Sequence, residues 1–331
     1  MTALEDLSGH LASELVVVDI GCRWGFAPHW KALGSYVTLY GFDADEIEIA
    51  RLDEEFADEP RMHFFARALG SQSGHGTLML TAEPGSTSLF PRSSARLGHI
   101  PEYDGARVTS ETDVVVSTLD QWRDEEGVGR IDSLKLDTQG SELDILRGAV
   151  RSLATARHVE VEVAFNELFE GAPLFADVDT FLRGQGFALW RFRDLVHHAL
   201  HEAPDPPPVT EYVWYESKPQ SLTGQGGQLM WCNAHFVRRD VYAPEPSLGW
   251  QTRLRDACLM SALQFHDLAV LALGRLVLEP GCPDLVRASA ERVRAGVAAA
   301  RSTAPAKRAT LAGRLRVLRR GVLGLSDQEP N

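Results

Sequence analysis

The most informative hydrophobic pattern lies near the start of the chain, where the apolar run Leu15–Ile20 is interrupted only by Asp19. A short apolar run of this kind predicts a strand that is buried on both faces of a parallel sheet. Gly21 ends the run, Gly25 follows four residues later, and a helix-compatible segment covers Trp24–Leu33. A strand, a glycine turn and a helix N-terminus let backbone approach a ligand closely, so this stretch is a candidate binding site.

Strand-like and helix-like segments then alternate along the chain. The predicted strands after the first are Tyr36–Phe42, Met62–Ala68, a hairpin-like return over Gly76–Thr81, Val114–Val116, Ile131–Asp137, Val159–Phe165, Gly186–Phe192, Tyr212–Tyr215 and Leu229–Val237. The predicted helices between them are Glu46–Phe56, Leu119–Glu126, Ser141–Arg147 and Pro173–Arg183. This alternation predicts a doubly wound α/β domain with a mostly parallel sheet.

Acidic side chains lie at the ends of three predicted strands, namely Asp19, Asp43 and Asp137. Ligands of doubly wound sheets bind beyond the carboxyl ends of the strands, so we expect the three acids to share one pocket. Asp43 follows Asp19 by 24 residues, and an acid at the end of the second strand can bind both hydroxyls of a ribose. A second interpretation stays open, in which Asp43 or Asp45 caps the next helix.

The pattern changes after a proline-containing linker at 242–246. Helical spacing of apolar residues predicts a long helix over Arg253–Val277 and two more over Asp284–Ala300 and Ala309–Leu323. We therefore divide the chain into an α/β domain, residues 1–240, and a C-terminal α-helical extension, residues 241–331. The last helix is basic and amphipathic, so it either lies on an anionic membrane surface or packs on the protein's own body or on a second subunit.

Composition narrows the class of protein. The net charge of −13 over 331 residues argues against generic nucleic-acid binding. The first residues lack the basic start and apolar core of a signal peptide, and no apolar stretch is long enough for a transmembrane segment. The four cysteines are far apart, which disfavours a zinc site or a disulfide framework and is typical of a cytoplasmic protein. The segment Glu83–Gly105 is too long for an ordinary connection, so it predicts a lid over an acceptor or a disordered loop.

Several sequence blocks carry a family resemblance. They are DIGCRWG at 19–25, LKLDTQGSELDILRGA at 134–149, and VEVEVAFNELFEG at 159–171 followed by FADVDTFLRGQGFALWRF at 175–192. Together they resemble the FkbM-type methyltransferases, which are class I O-methyltransferases dependent on S-adenosylmethionine. The resemblance implies a seven-stranded Rossmann-like sheet and S-adenosylmethionine as the cofactor.

The resemblance also implies a set of cofactor-binding residues. They are Asp19, Gly21, Arg23 and Gly25 in the first loop, Asp43 for the ribose, Ala68 near the adenine, and Asp137 with Gln139 near the methyl donor. Arg23 stands where a glycine often occurs in the family loop, so the path of the backbone there departs from the usual pattern.

Methyl transfer to an alcohol needs a base or a metal, because an alcohol has a high pKa. The candidate catalytic residues are Asp137, Glu142 and Glu162, and Glu160 is a further candidate base. Clustered carboxylates raise one another's pKa or bind a divalent metal, for which Asp137 and Glu162 are the candidates. Two plainer interpretations stay open: Glu162 lies on a solvated strand face, and Glu142 is a first-turn acid favoured by the helix dipole.

The leading hypothesis is an S-adenosylmethionine-dependent O-methyltransferase that acts on a hydroxyl of a glycan or specialised metabolite. One alternative is an NAD-dependent oxidoreductase, since Asp43 also suits an adenosine ribose. Another is a non-catalytic cofactor-binding protein that uses its helical extension for assembly. We expect a small-molecule or glycan acceptor, no nucleic acid and no transmembrane segment. Peripheral membrane contact through the basic last helix and a homo-oligomer stay open as alternatives.

Overall fold

The strand order of one large sheet defines the architecture. The computed structural model describes residues 2–93, 107–198, 211–215, 218–222, 228–243 and 248–303. The strands are β1 Leu15–Ile20, β2 Val37–Asp43, β3 Met62–Ala66, β4 Ala68–Leu69, β5 Gly74–Thr81, β6 Val108–Ser117, β7 Ser133–Leu136, β8 His158–Ala164, β9 Phe187–His198, β10 Glu211–Tyr215, β11 Lys218–Leu222 and β12 Gln228–Arg238. The helices are α1 Ala3–Ser8, α2 Glu46–Glu55, α3 Leu119–Glu125, α4 Glu142–Arg147, α5 Val150–Thr155, α6 Phe175–Gly184, α7 Trp250–Ala262, α8 His266–Leu278 and α9 Asp284–Thr303.

The large sheet runs in the order β11-β10-β9-β12-β8-β7-β1-β2-β3. β3, β2, β1, β7 and β8 are parallel, and β12 is antiparallel to both of its neighbours, β8 and β9. The seven strands from β3 to β9 form the predicted doubly wound sheet, and β10 and β11 extend it beyond β9. The order reverses between β1 and β7, which is where such sheets bind ligands.

The predicted burial of β1 on both faces is confirmed, because its alternate side chains enter two different cores. Leu15 and Val17 belong to the core that β1 shares with α1 and α7–α9, whereas Val18 and Ile20 pack in the core beneath α3–α6. A central parallel strand has to be apolar on both sides for this arrangement, which explains the continuous run of apolar residues.

Three local predictions are wrong. Trp24–Leu33 is not a helix, since the structure has a 3-10 helix at Pro28–Tyr36 that is broken at Gly34. Gly76–Thr81 does not return beside the third strand, because β4, β5 and β6 form a separate sheet in the order β4-β6-β5. Arg253–Val277 is not one helix either, because Gln264 adopts a φ of 58° between α7 and α8.

The helical extension packs tightly on the sheet. Arg255 of α7 binds the fully buried Asp132, with Nε 2.8 Å from Oδ1, and Arg157 binds Asp256 of α7 with Nε 2.6 Å from Oδ1. These buried ion pairs join the extension to the segments that lead into β7 and β8. The division at residue 240 stays a prediction, and the predicted helix Ala309–Leu323 lies outside the described residues.

Over the ranges described above, no helix is both long enough and apolar enough to cross a lipid bilayer.

Candidate active site

A cleft opens at the carboxyl edge of the sheet, where β1, β2 and β7 end. It holds about 700 Å³ of space up to its open mouth. Six predicted cofactor-site residues line it, and they are Gly21, Arg23, Asp43, Ala68, Asp137 and Gln139. Residues predicted from separate parts of the chain therefore meet in one cavity.

The other predicted residues lie around this cleft and are not part of its lining. Asp19 is buried behind the strand ends. Gly25 packs close to the ring of Phe56. Glu142 and Glu162 line a neighbouring pocket of about 440 Å³. The predicted acids thus divide between the main cleft and the space beside it.

Gly21 brings the ends of β1 and β7 into contact. Its φ is +83°, and a Cβ atom at this position would lie 1.9 Å from the carbonyl oxygen of Asp137. Its backbone N–H donates a 2.8 Å hydrogen bond to the carbonyl of Phe42, so the same residue also joins β2. Only glycine combines this conformation with so close an approach. At Gly21 the cleft is consequently lined by bare backbone where the three strand ends meet.

Asp43 and Asp45 have different roles, although both follow β2. Asp45 caps α2, since its Oδ1 accepts a 3.0 Å hydrogen bond from the N–H of Ile47. Asp43 lines the cleft, and its Oδ1 accepts a 2.9 Å hydrogen bond from the N–H of Asp45. Burial raises the pKa of Asp43. The capping interpretation is therefore right for Asp45, and Asp43 is the acid that faces the cleft.

Arg23 lies against these two acids. Its Nη2 is 2.9 Å from Asp45 Oδ2 and its Nε is 3.7 Å from Asp43 Oδ2. The arginine that replaces the expected glycine thus forms one wall of the cleft and offsets the charge of both carboxylates.

The inner end of the cleft contains an amide between two carboxylates. Nε2 of Gln139 donates to Asp137 Oδ1 at 3.2 Å and to Glu162 Oε2 at 2.7 Å. Gln139 adopts a φ of 60°, which is uncommon for a residue with a side chain. Burial raises the pKa of Glu162 well above its usual range, and the carboxylates of Asp137 and Glu142 add to the shift. Glu162 is thus a bound and strongly perturbed side chain, in contrast to the solvated-face interpretation.

Glu142 holds the turn that carries Gln139. Its carboxylate accepts hydrogen bonds from the N–H of Thr138 at 2.8 Å and from the N–H of Gly140 at 3.0 Å, and burial raises its pKa. These bonds fix the conformation of the Asp137–Gly140 turn. Glu142 therefore acts on the cleft through the turn, and its predicted catalytic role stays a prediction.

The two candidate metal ligands do not make a metal centre on their own. Throughout the portion of the chain that the structure describes, no three His, Cys, Asp or Glu side chains are grouped so that they could hold a metal ion. Asp137 and Glu162 are instead both bound by the amide of Gln139. A metal normally needs more oxygen ligands than this pair supplies, so these residues do not fit a metal site.

One residue of the cleft, Trp24, was not singled out from the sequence. Trp24, with a φ of 69° and 75% of its surface exposed, lines the mouth of the cleft beside Gly85. Ser88 donates a 2.6 Å hydrogen bond to the carbonyl of Gln139, and the N–H of Glu170 donates to the carbonyl of Pro91 at 2.7 Å. The first part of the predicted lid thus crosses the strand ends, whereas residues 94–106 lie outside the described residues. An exposed aromatic side chain with a positive φ indicates a functional site, but the φ cannot be predicted from the sequence.

His197 and His198 lie in β9, and His201 is outside the described residues. Trp231 lines the pocket beside Glu162, and Trp190 packs against Tyr242 beside the core of the extension.

The strand order of the parallel sheet reverses between β1 and β7, and the cleft opens at this switch point. One strand, β12, is antiparallel to its neighbours. These features together define a class I methyltransferase fold. Residues 29–189 match the family model described as the methyltransferase FkbM domain. The chain is also 30% identical over 169 residues to the 2-O-methyltransferase NoeI of Sinorhizobium fredii, a match that covers 50% of this chain and 70% of that protein. The chain belongs to the FkbM methyltransferase family.

Solved structures with a similar fold include two further methyltransferases. One is magnesium protoporphyrin IX methyltransferase from Synechocystis PCC 6803 with bound SAM, with a TM-score of 0.33, 13% identity, and coverage of 71% of this chain and 75% of that chain. The other is TrmK from M. capricolum in complex with S-adenosyl-homocysteine, with a TM-score of 0.34, 6% identity, and coverage of 90% of this chain and 97% of that chain. Similarity at this level carries no argument about substrate.

Proposed function

We propose that the chain is an S-adenosylmethionine-dependent O-methyltransferase that methylates a hydroxyl of a glycan or specialised metabolite. The observation that carries the proposal is the contact between Gln139, which lines the cleft, and Glu162, a carboxylate with a strongly raised pKa. A hydroxyl acceptor needs such a base beside the methyl donor. The name of the relative NoeI, a 2-O-methyltransferase, supports oxygen as the methylated atom.

The cleft suits the nucleoside part of the cofactor. Asp43 lies at the end of β2, where an acid can bind ribose hydroxyls, and Ala68 with Leu69 gives an apolar wall for a base. The bare backbone at Gly21 allows a ligand chain to lie directly on the strand ends. When bound, S-adenosylmethionine supplies a methyl group on a positively charged sulfur. Gln139 and Asp137 would then lie near that group at the inner end of the cleft.

Glu162 is the proposed general base. It would take the hydroxyl proton of the acceptor while the acceptor oxygen receives the methyl group that a bound sulfonium donor would supply, leaving the donor as a neutral thioether. Gln139 orients Glu162 and Asp137 through its Nε2, and Glu142 keeps Gln139 in place through the turn. Most of the catalysis then comes from alignment, because methyl transfer needs little beyond an in-line approach and a deprotonated acceptor.

Calorimetric titration with S-adenosylhomocysteine tests the cofactor assignment. We expect the intact protein to bind it, and Asp43→Ala to weaken binding by about 1–3 kcal/mol, the scale of losing hydrogen bonds to a charged group. Asp53→Ala is the matched control, because Asp53 is an exposed acid on the neighbouring α2. Absence of binding by the intact protein would overturn the proposed function, and equal affinities for the two variants would remove Asp43 from the site.

The family assignment weakens the NAD-dependent alternative. A nicotinamide cofactor would leave the Gln139–Glu162 contact without a role, whereas an O-methyltransferase uses it directly. Titration with NAD under the same conditions separates the two functions.

A further inference from the structure

Lys135 of β7 is a cation among the acids of the active-site edge. Its Nζ lies 3.0 Å from Asp19 Oδ1 and 4.0 Å from Asp137 Oδ2. Its strand neighbours are in register with it, with Asp19 opposite it on β1 and Glu160 opposite it on β8. Because side chains alternate along a strand, Lys135 and Asp137 lie on the same face. The ammonium group therefore lies directly behind the acid that lines the cleft.

The electrostatic influence of Lys135 extends to the whole group of acids. Burial opposes its charge, but Asp19 and Asp137 outweigh this effect and raise the pKa of Lys135. In return, its charge opposes the upward pKa shifts of Glu160 and Glu162. Lys135 is thus ionised at neutral pH and offsets the carboxylates at this end of the sheet. It does not belong to the lining of the cleft, so it acts on a ligand through its charge and through Asp137, the one of its two acid partners that lines the cleft.

A methyl donor of the sulfonium type makes this charge balance important. The donor is cationic before the reaction, and the thioether product is neutral in the same place. Carboxylates without a compensating cation would stabilise the cationic reactant more than the transition state, in which the charge is already being lost. A cation behind Asp137 reduces that unproductive stabilisation while leaving the acids in place to orient the ligand.

We propose that Lys135 is a positioning residue of the methyl-donor site. Lys135 holds Asp19 and Asp137, and its charge sets how strongly the cleft prefers a cationic sulfonium over a neutral thioether. The inference rests on the proposed function, since it requires that S-adenosylmethionine binds in this cleft. Its consequence is that donor and product bind with similar affinity.

The test compares the affinities of S-adenosylmethionine and S-adenosylhomocysteine by calorimetry, without an acceptor. Removal of the cation in Lys135→Met should raise the preference for S-adenosylmethionine over S-adenosylhomocysteine about tenfold, the order expected when one unit charge near the donor is removed from a partly screened site. Lys135→Arg keeps the charge and should restore the preference of the intact protein. Lys31→Met is the matched control, because it removes the same charge from an exposed residue that does not line the cleft.

A double variant separates the effect of charge from a loss of structure. Lys135→Met combined with Asp19→Asn removes both partners of the ion pair, so the local net charge is unchanged and the preference should return towards that of the intact protein. It also avoids an uncompensated buried acid, the most common reason for a single variant of this kind to unfold. If Lys135→Met alone does not fold, the double variant decides the proposal, because a preference that differs tenfold from that of the intact protein would overturn the role of the charge balance.

The outcomes distinguish the two proposals. If the intact protein binds neither ligand, the proposed function fails. If it binds both, and Lys135→Met changes the two affinities by the same factor or lowers the preference for S-adenosylmethionine, the role of Lys135 is overturned. A double variant with the same altered preference as Lys135→Met would also overturn it, because that result would show a packing effect and no charge effect.

Discussion

Substitution of Gly21 by alanine tests whether the cleft depends on contact between the ends of β1 and β7. Two separate costs follow from the structure. The first is conformational, since a side chain at a φ of +83° costs about 1–2 kcal/mol. The second is steric, since the new Cβ would lie 1.9 Å from the carbonyl oxygen of Asp137. Backbone cannot rotate away as a side chain can, so the strand ends must separate, at a further cost of about 1–3 kcal/mol.

Gly127 provides the matched control for this experiment. It also has a positive φ, of +65°, but a Cβ there would meet no atom within 4 Å. Gly127→Ala therefore has only the conformational cost, whereas Gly21→Ala has both costs. Urea unfolding should give a free energy of unfolding that falls by about 2–5 kcal/mol in Gly21→Ala and about 1–2 kcal/mol in Gly127→Ala.

Ligand binding should separate the two variants further. Displacement of the Asp137 carbonyl moves Gln139 as well, so Gly21→Ala should lose affinity for S-adenosylhomocysteine by tenfold or more, and Gly127→Ala should bind normally. Equal losses of stability in the two variants, together with unchanged binding by Gly21→Ala, would refute the reasoning. That result would show that the strand ends are free to adjust.

Three further predictions concern buried charges. Glu162→Gln should lower turnover of an identified hydroxyl acceptor, and full turnover in this variant would exclude Glu162 as the base. In the unmodified protein, activity should rise with pH through a value above the ordinary glutamate pKa of about 4.3, because the ionised base is the active form and its pKa is raised. The pKa of Glu160 is raised by burial from 4.5 to about 7. Between these two values the folded state binds a proton that the unfolded state has lost, so stability falls as the pH rises through this range. Thermal unfolding of Glu160→Gln should show a smaller fall, and a pH dependence identical to that of the unmodified protein would contradict the assignment. Arg255→Met leaves the buried Asp132 without its closest partner and should lower the free energy of unfolding by about 3–5 kcal/mol in urea titration. Adding Asp132→Leu should restore part of this loss, because it removes the buried charge but also the acceptor of the Val16 N–H.

Sequence patterns predict the parts of the site that follow from local rules. The apolar run before Gly21 indicates a central strand, and Asp43 and Asp137 follow strands whose carboxyl ends meet at one edge. Parallel topology then brings these residues to one cleft without knowledge of any contact. The same rule places Asp19 at that edge, but it does not show that Asp19 binds a lysine and stays outside the lining of the cleft.

The remaining features depend on register and tertiary packing. The alternation in VEVEV suggests that Glu162 faces solvent, yet Gln139 reaches it from another strand end. The helix predicted after Gly25 is replaced by a 3-10 helix that begins at Pro28 and is interrupted by the non-helical backbone of Gly34. The docking of the extension through Arg255 is invisible to local patterns, because its partner Asp132 is 123 residues away in sequence.

The ion pair between Lys135 and Asp19 links the charge of the site to its geometry. A slip of one residue between β1 and β7 would turn Lys135 to the opposite face, where the core beneath α3–α6 is apolar. Such a slip would leave a charge buried without a partner, so the ion pair selects the observed register. The same register brings Gly21 against the carbonyl of Asp137, two positions beyond the pair. The interaction that balances the charge of the proposed donor site therefore also aligns the two strand ends that form its floor.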